Sequence, residues 1–417
     1  MNEFINAPEL LAPAGDRERF DKALYFGADA IYVGGAEFGM RAAPSNFTFE
    51  QLADAVETAH KQNVKVYLTC NTVPGNSEIS RLPDFFRQAG EAKVDGLIIS
   101  DLGTMDLAKK YLPDTDIHIS TQAGITNYQT ANVYYNLGAK RIVTAREISL
   151  DDIAEIRANI PQDMEIECFV HGAMCMSFSG RCLISNYLTG RDANKGDCAQ
   201  PCRWKYFLTE QTRPDENFPV IEDDNGTYIM NSRDMCMIEH IPELVKAGVT
   251  SFKIEGRAKS AYYTAVITNA YRAAIDEYLN NPADDFKVSD WISQEVRKVS
   301  YREYCTGFYF SSPQDNSQIF YDGGYKREWN VVAEITEYKD GEVFGVQRNR
   351  FFDGDELEVL QKGIAPFKIK VIELKNESGE KVENAPHPMM KFSFKCDKQI
   401  KPGAILRKEL SNVKEAT

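Results

Sequence analysis

Eight short apolar segments, each followed by a longer amphipathic one, repeat between residue 9 and about residue 280. Few folds accommodate that rhythm, because each segment then needs a crossover that returns the chain to the same end of a parallel sheet. The strand candidates are Glu9–Ala12, Ala30–Val33, Lys65–Thr69, Gly96–Ser100, Asp116–Ser120, Arg141–Thr144, Glu165–Val170 and Ser251–Ile254. Between them, Phe49–Gln62, Leu82–Lys93, Tyr128–Leu137 and Leu150–Ile160 carry apolar residues at helical spacing. Ser149, with Asp151 and Asp152 behind it, reads as a helix N-cap followed by acidic residues in the first turn. Eight such units predict a (β/α)8, TIM-like barrel. A doubly wound sheet competes, but no Gly-x-Gly-x-x-Gly follows the first strand. In a barrel the residues just after the strands converge on one mouth, and here they are polar: Asn71, Asp101, Gln122, Arg146, Glu147, His171, Glu255 and Arg257.

The rhythm breaks after strand seven. Residues 173–227 form an insertion far longer than an ordinary βα loop, and long loops at this end of a barrel carry function. An extra strand is expected at Tyr228–Asn231. A barrel over residues 1–280 is then followed by a connector, 281–329, and by a region of short strands and Gly-containing turns, 330–417, which predicts a small β-barrel domain. Formal net charge is −14, which excludes a bulk-basic nucleic-acid binder but not a local basic face. Residues 331–417 hold fifteen basic and fifteen acidic side chains, so the acidity belongs to the barrel and connector.

Neither a signal-peptide pattern nor a run of 18 apolar residues is present, so a cytoplasmic protein with no membrane span is expected. Nine cysteines are then surprising, and five fall between residues 168 and 202. In a reducing compartment such crowding points to metal or redox chemistry rather than disulfides. Cys175, Cys182, Cys198 and Cys236 are widely and unequally spaced, unlike zinc knuckles, and Cys202 is a rival to Cys198. They are either soft-metal ligands or small buried hydrophobes, and spacing alone leaves both readings open.

Around these cysteines the chain resembles the collagenase-like peptidase family U-32. The likeness is carried by Glu167-Cys168-Phe169-Val170-His171-Gly172-Ala173-Met174-Cys175, by Ser179-Gly180-Arg181-Cys182, by Asn231-Ser232-Arg233-Asp234-Met235-Cys236, and by Phe252-Lys253-Ile254-Glu255-Gly256-Arg257. The start, Glu9-Leu10-Leu11-Ala12-Pro13-Ala14-Gly15-Asp16, is similar too. The family name implies peptide hydrolysis. Its better-characterised members imply a hydroxylase with a 4Fe-4S cluster that requires prephenate, one branch converting the wobble uridine of tRNA to 5-hydroxyuridine. That resemblance implies Cys175, Cys182, Cys198 and Cys236 as cluster ligands, with Cys202 a rival to Cys198. The tRNA branch, like this chain, carries a small C-terminal β domain.

Candidate roles follow from residue chemistry. Prephenate has two carboxylates, which suit arginine, and Arg41, Arg146 and Arg257 lie at or near strand ends. Lys253 and Glu255 could orient Arg257 or move protons, and His171 is a candidate proton donor or a core histidine. Asn71 and Gln122 complete the expected substrate site. A peptidase would need a nucleophile and base, for which Cys175 and His171 are the available pair; a non-catalytic redox scaffold is the third possibility. For RNA, Tyr187, Trp204 and Tyr206 are candidates to stack a splayed base, with loop packing as the alternative.

Overall fold

The computed structural model describes residues 7–40, 46–175, 177–204, 221–223, 226–228, 233–283, 285–310 and 325–410. All eight expected barrel strands form: β1 Glu9–Ala14, β2 Ala30–Gly34, β3 Lys65–Cys70, β4 Gly96–Ile99, β5 Asp116–Ile119, β6 Arg141–Val143, β7 Glu165–Ala173 and, after an extra strand β8 at Asp234–Cys236, β9 Ser251–Ile254. Each of β1 to β6 pairs in parallel with the next, and β9 pairs in parallel with both β1 and β7, so the ring closes. The helices start where their caps put them. Thr48 forms a capping box with Gln51 at Phe49–His60, and Ser149 does so with Asp152 at Leu150–Ala158. Leu82, Phe85, Phe86 and Ala89 form the buried stripe of Leu82–Glu91.

The barrel interior is apolar in its middle, where Leu11, Tyr32, Tyr67 and Ile98 meet. Beneath them lies a cluster of charge. Arg141, 2% exposed, contacts Glu9 at 2.6 Å, Glu165 at 2.5 Å and Glu167 at 3.1 Å. A buried guanidinium is tolerable only when its donors are met this fully. Burial raises the Glu9 carboxyl pKa, but the Arg141 charge and the hydrogen bonds from Arg141, Tyr67 and Ser251 together outweigh it and hold the group below its ordinary value.

β7 is long because its end protrudes from the ring and pairs antiparallel with β8, with Cys236 opposite His171. Tyr304–Cys305 extends the same sheet beyond β8. The expected extra strand at Tyr228–Asn231 is not the one that carries Cys236. Gly226–Tyr228 belongs to a separate small hairpin, residues 229–232 lie outside the described residues, and Asp234–Cys236 is the added strand.

The C-terminal domain is a seven-stranded antiparallel sheet. Its edge strands, Phe367–Lys370 and Ile372–Asn376, are consecutive in the chain with only Val371 between them, so the sheet must curl until its two ends meet. Val332, Phe351, Phe394 and Leu406 are among the residues filling its inside. Arg407 reaches out of this sheet to the helix Asp290–Glu295 and meets both carboxylate oxygens of Glu295, at 2.5 and 2.7 Å; both side chains are fully buried.

Candidate active site at the barrel mouth

The strand ends enclose a cavity of about 220 Å³. Its walls come from seven strands or the turns just after them: Tyr32 from β2, Thr69 and Asn71 from β3, Ile98 from β4, Ser120 and Gln122 from β5, Arg146 from β6, Phe169 and Cys175 from β7, and Lys253, Glu255 and Arg257 from β9. Convergence of side chains from separate strand ends is what makes this face of a barrel chemically useful.

Three cations line the chamber, each held differently. Lys253 donates to Glu167 Oε1 at 2.5 Å and sits above the rings of Tyr32 and Phe169. Glu167 is in turn bound by Arg141, so the cavity floor is tied to the charge cluster below. The Arg146 guanidinium stacks 3.9 Å from the centre of the Phe169 ring and donates to the Ala173 carbonyl. The Arg257 guanidinium donates to Thr69 Oγ1 at 2.9 Å and is 6% exposed. Two carboxamides face the same space with their oxygens already used. Asn71 Oδ1 accepts from the Met40 amide, and Gln122 Oε1 from Ser120 Oγ. Their NH2 groups remain as donors. Among the described lining residues Glu255 is the one carboxylate. Arg41 lies outside the described residues.

Cys175, Cys182, Cys198 and Cys202 all line this cavity. Cys236 does not. It opens into a separate cleft with His240, Arg297, Tyr304 and Cys305, and burial pushes its thiol up to about 12. Among the described residues no group of three or more His, Cys, Asp or Glu is placed to hold a metal ion. The donor chemistry suits an iron–sulfur cluster, but as arranged the four thiols implied by resemblance do not form one site: three share a chamber with Cys202 and the fourth lies elsewhere.

His171 also lies elsewhere. The register between β7 and β9 shifts after Phe169–Lys253, so His171 pairs with Ile254 and Val170 is passed over. That bulge turns the imidazole out of the barrel, toward helix Ala261–Asn280. There it contacts the hydroxyls of Tyr271 and Tyr304, both at 3.4 Å. Burial pulls its pKa down to about 3, so at neutral pH it is an uncharged core residue and not a proton donor to the cavity. The Cys175–His171 pair is thereby absent too.

The insertion is anchored by a contact that motif reading missed. Glu147 accepts from the Ser179 amide at 2.6 Å and from its hydroxyl at 2.7 Å. Glu167 and Phe169 were also missed. Both share Lys253's inward side of the barrel wall, so period-two alternation carried the signal.

A profile of "Peptidase family U32" matches residues 15–319, and a profile of "Peptidase family U32 C-terminal domain" matches residues 327–407. The chain belongs to peptidase family U32. This U32 protein is 36% identical over 403 residues to "tRNA hydroxylation protein P1" of Bacillus subtilis (strain 168), covering 96% of this chain and 94% of the relative. It is 34% identical over 422 residues to "tRNA hydroxylation protein P" of Escherichia coli (strain K12), covering 91% of each. It is also 29% identical over 413 residues to "Collagenase" of Porphyromonas gingivalis (strain ATCC BAA-308 / W83), covering 95% of this chain and 97% of that one. Among the described residues of this U32 chain no helix is long and apolar enough to cross a membrane.

Proposed function

We propose that this U32 protein hydroxylates tRNA, at carbon 5 of the wobble uridine, with the barrel-mouth cavity as its active site. The observation that carries this reading is the cavity's donor-rich lining: Lys253, Arg146, Arg257 and the amide nitrogens of Asn71 and Gln122, against one carboxylate. Such a chamber suits ligands that present acceptors, namely the two carbonyls of a uracil ring and the carboxylates of a small dianion. The names of the two tRNA-related relatives support the substrate class.

In this reading Arg257 and Arg146 bind the carboxylates of prephenate, the co-substrate implied by family resemblance. Lys253, fixed by Glu167, presents a charge on the floor. Asn71 and Gln122 donate to the uracil carbonyls, and Glu255 takes the proton released from the ring carbon. Replacing C–H by C–OH takes an oxygen atom from a hydroxyl donor such as water and releases two protons and two electrons, and side chains do not accept the electrons. A 4Fe-4S cluster, when bound, would pass such electrons one at a time to an external acceptor; Cys175, Cys182 and Cys198 line the cavity that would face it and Cys236 does not, while the described residues hold no three of them in metal-binding geometry.

The test is nucleoside mass spectrometry of tRNA from a deletion strain. Loss of 5-hydroxyuridine, restored by the plasmid-borne gene, supports the reading; an unchanged level contradicts it. The peptidase alternative draws on similarity to the collagenase relative, but Cys175 and His171 stand on opposite sides of the barrel wall.

A further inference from the structure

The insertion leaves an unusual amount of apolar surface in water. Phe178, Leu183, Ile184, Tyr187, Leu188 and Trp204 are all exposed, Tyr187 by 88% and Leu183 by 76%. A side chain so exposed is not packing its own loop, which removes the structural explanation for Tyr187. Isolated exposed apolar residues need no explanation, but several within one short segment mark a contact surface.

These residues sit at the edge of the cavity. Ile184 lines the cavity, as do its neighbours Ser179, Gly180 and Cys182. The short helix Ile184–Thr189 packs against the turn Pro201–Arg203, which places Trp204 beside the same ledge. Phe178 lies over Gly124, just beyond β5, so the ledge continues onto the barrel rim. The charge around it is also distinctive. Residues 177–204 contain four basic and two acidic side chains within a chain of net charge −14; Arg191 is paired with Asp197 and Lys195 with Glu78, so the positive charge beside the ledge rests on Arg181.

Apolar and aromatic side chains beside locally positive charge fit unpaired nucleotides, whose bases offer flat faces and whose backbone is anionic. The cavity fits the same ligand. At about 220 Å³, with its polar groups inside, it has room for one ring and a small co-substrate, not for a base still stacked in a helix. We infer that the ledge formed by Phe178, Leu183 and Tyr187 is a stacking platform for the nucleotides flanking the target uridine, and that the uridine enters the cavity extruded from an unpaired loop. This rests on the proposed action on tRNA and adds where and in what form the RNA is held.

The test uses the full-length protein and two synthetic RNAs, a stem-loop with uridine in its unpaired loop and a hairpin with the same segment fully paired. Affinity is read by fluorescence anisotropy for the wild type, Tyr187→Ala and the Phe178→Ala/Leu183→Ala pair. The wild type should prefer the unpaired loop, and each variant should lose about 5- to 100-fold in affinity for it, while the melting temperature of Tyr187→Ala stays unchanged because that side chain is already 88% exposed. Equal affinity of wild type and variants for the loop would overturn the platform while leaving tRNA as substrate. A wild type that binds neither RNA would overturn both. If the variants keep their RNA affinity but lose self-association in sedimentation, the ledge is a protein–protein surface and the proposal is wrong.

Discussion

The guanidinium of Arg257 occupies the space that a side chain on Gly34 would need. A Cβ built on Gly34 would stand 2.6 Å from Arg257 Cζ and Nη1, closer than such atoms approach. The neighbouring Gly35 has no such constraint: its Cβ would meet Phe85 and Leu68 at 3.5 and 3.6 Å, ordinary packing distances. Gly34→Ala should therefore displace Arg257 and lower hydroxylation on the order of a hundredfold, as misplacement by about 1 Å can, whereas Gly35→Ala should keep most activity. Steady-state rates on both variants check this. Equal effects would mean that Gly34 is not a cradle for Arg257.

His171 gives a prediction about pH. Its folded-state pKa is lowered to about 3 by burial, from an ordinary value near 6.5. Above about pH 6.5 it is neutral in both folded and unfolded chains and contributes no pH dependence. As pH falls below that value the unfolded chain takes up the proton first, so the His171 contribution to stability is lost progressively toward pH 3, by up to about 1.4 kcal/mol per pH unit. Urea unfolding between pH 7 and 4 should show a shallower pH slope for His171→Phe than for the wild type. No activity transition between pH 5 and 8 should be assignable to this residue.

The buried contact between Arg407 and Glu295 joins the curled sheet to the connector. Glu358 also accepts from Arg407 and is held by Lys298 at 2.8 Å. Removing one member of such a pair strands a buried charge, so Arg407→Met should cost about 3–5 kcal/mol. Arg407→Met with Glu295→Met should cost much less than the sum of the single changes, because Lys298 still neutralises Glu358. Chemical denaturation of the two singles and the double measures the coupling; simple additivity would refute it.

Glu147 holds the insertion through Ser179, whose backbone has a left-handed φ of 47°. A strained residue persists when its surroundings over-determine it. Glu147→Ala should speed amide hydrogen exchange at residues 177–182 at least tenfold without changing exchange in β1 to β6. Unchanged exchange in the insertion would show that other contacts hold it.

Much of this was readable because strands obey a period of two and barrels collect their strand ends on one face. Counting eight strands was enough to bring Asn71, Gln122, Arg146, Lys253, Glu255 and Arg257 to one cavity. His171 escaped the same rule because one bulge, at Val170, reverses the alternation, and no residue type there announces it. Cys236 pairs with His171 and so follows it to the outer side of the wall. Its position depends on which strand joins β7, a long-range choice that local pattern does not encode. Phe367–Ile372 alternates well enough to suggest one unbroken strand, yet Val371 divides it where the sheet curls.

The central claim is that this cavity is where a tRNA uridine is hydroxylated. The most direct measurement is the 5-hydroxyuridine content of tRNA, by mass spectrometry, in a deletion strain expressing either the wild type or Arg257→Met at equal soluble levels. The wild type should restore the modification and Arg257→Met should leave it absent. Full restoration by Arg257→Met would contradict the account, because the chemistry would then not depend on the guanidinium at the cavity wall.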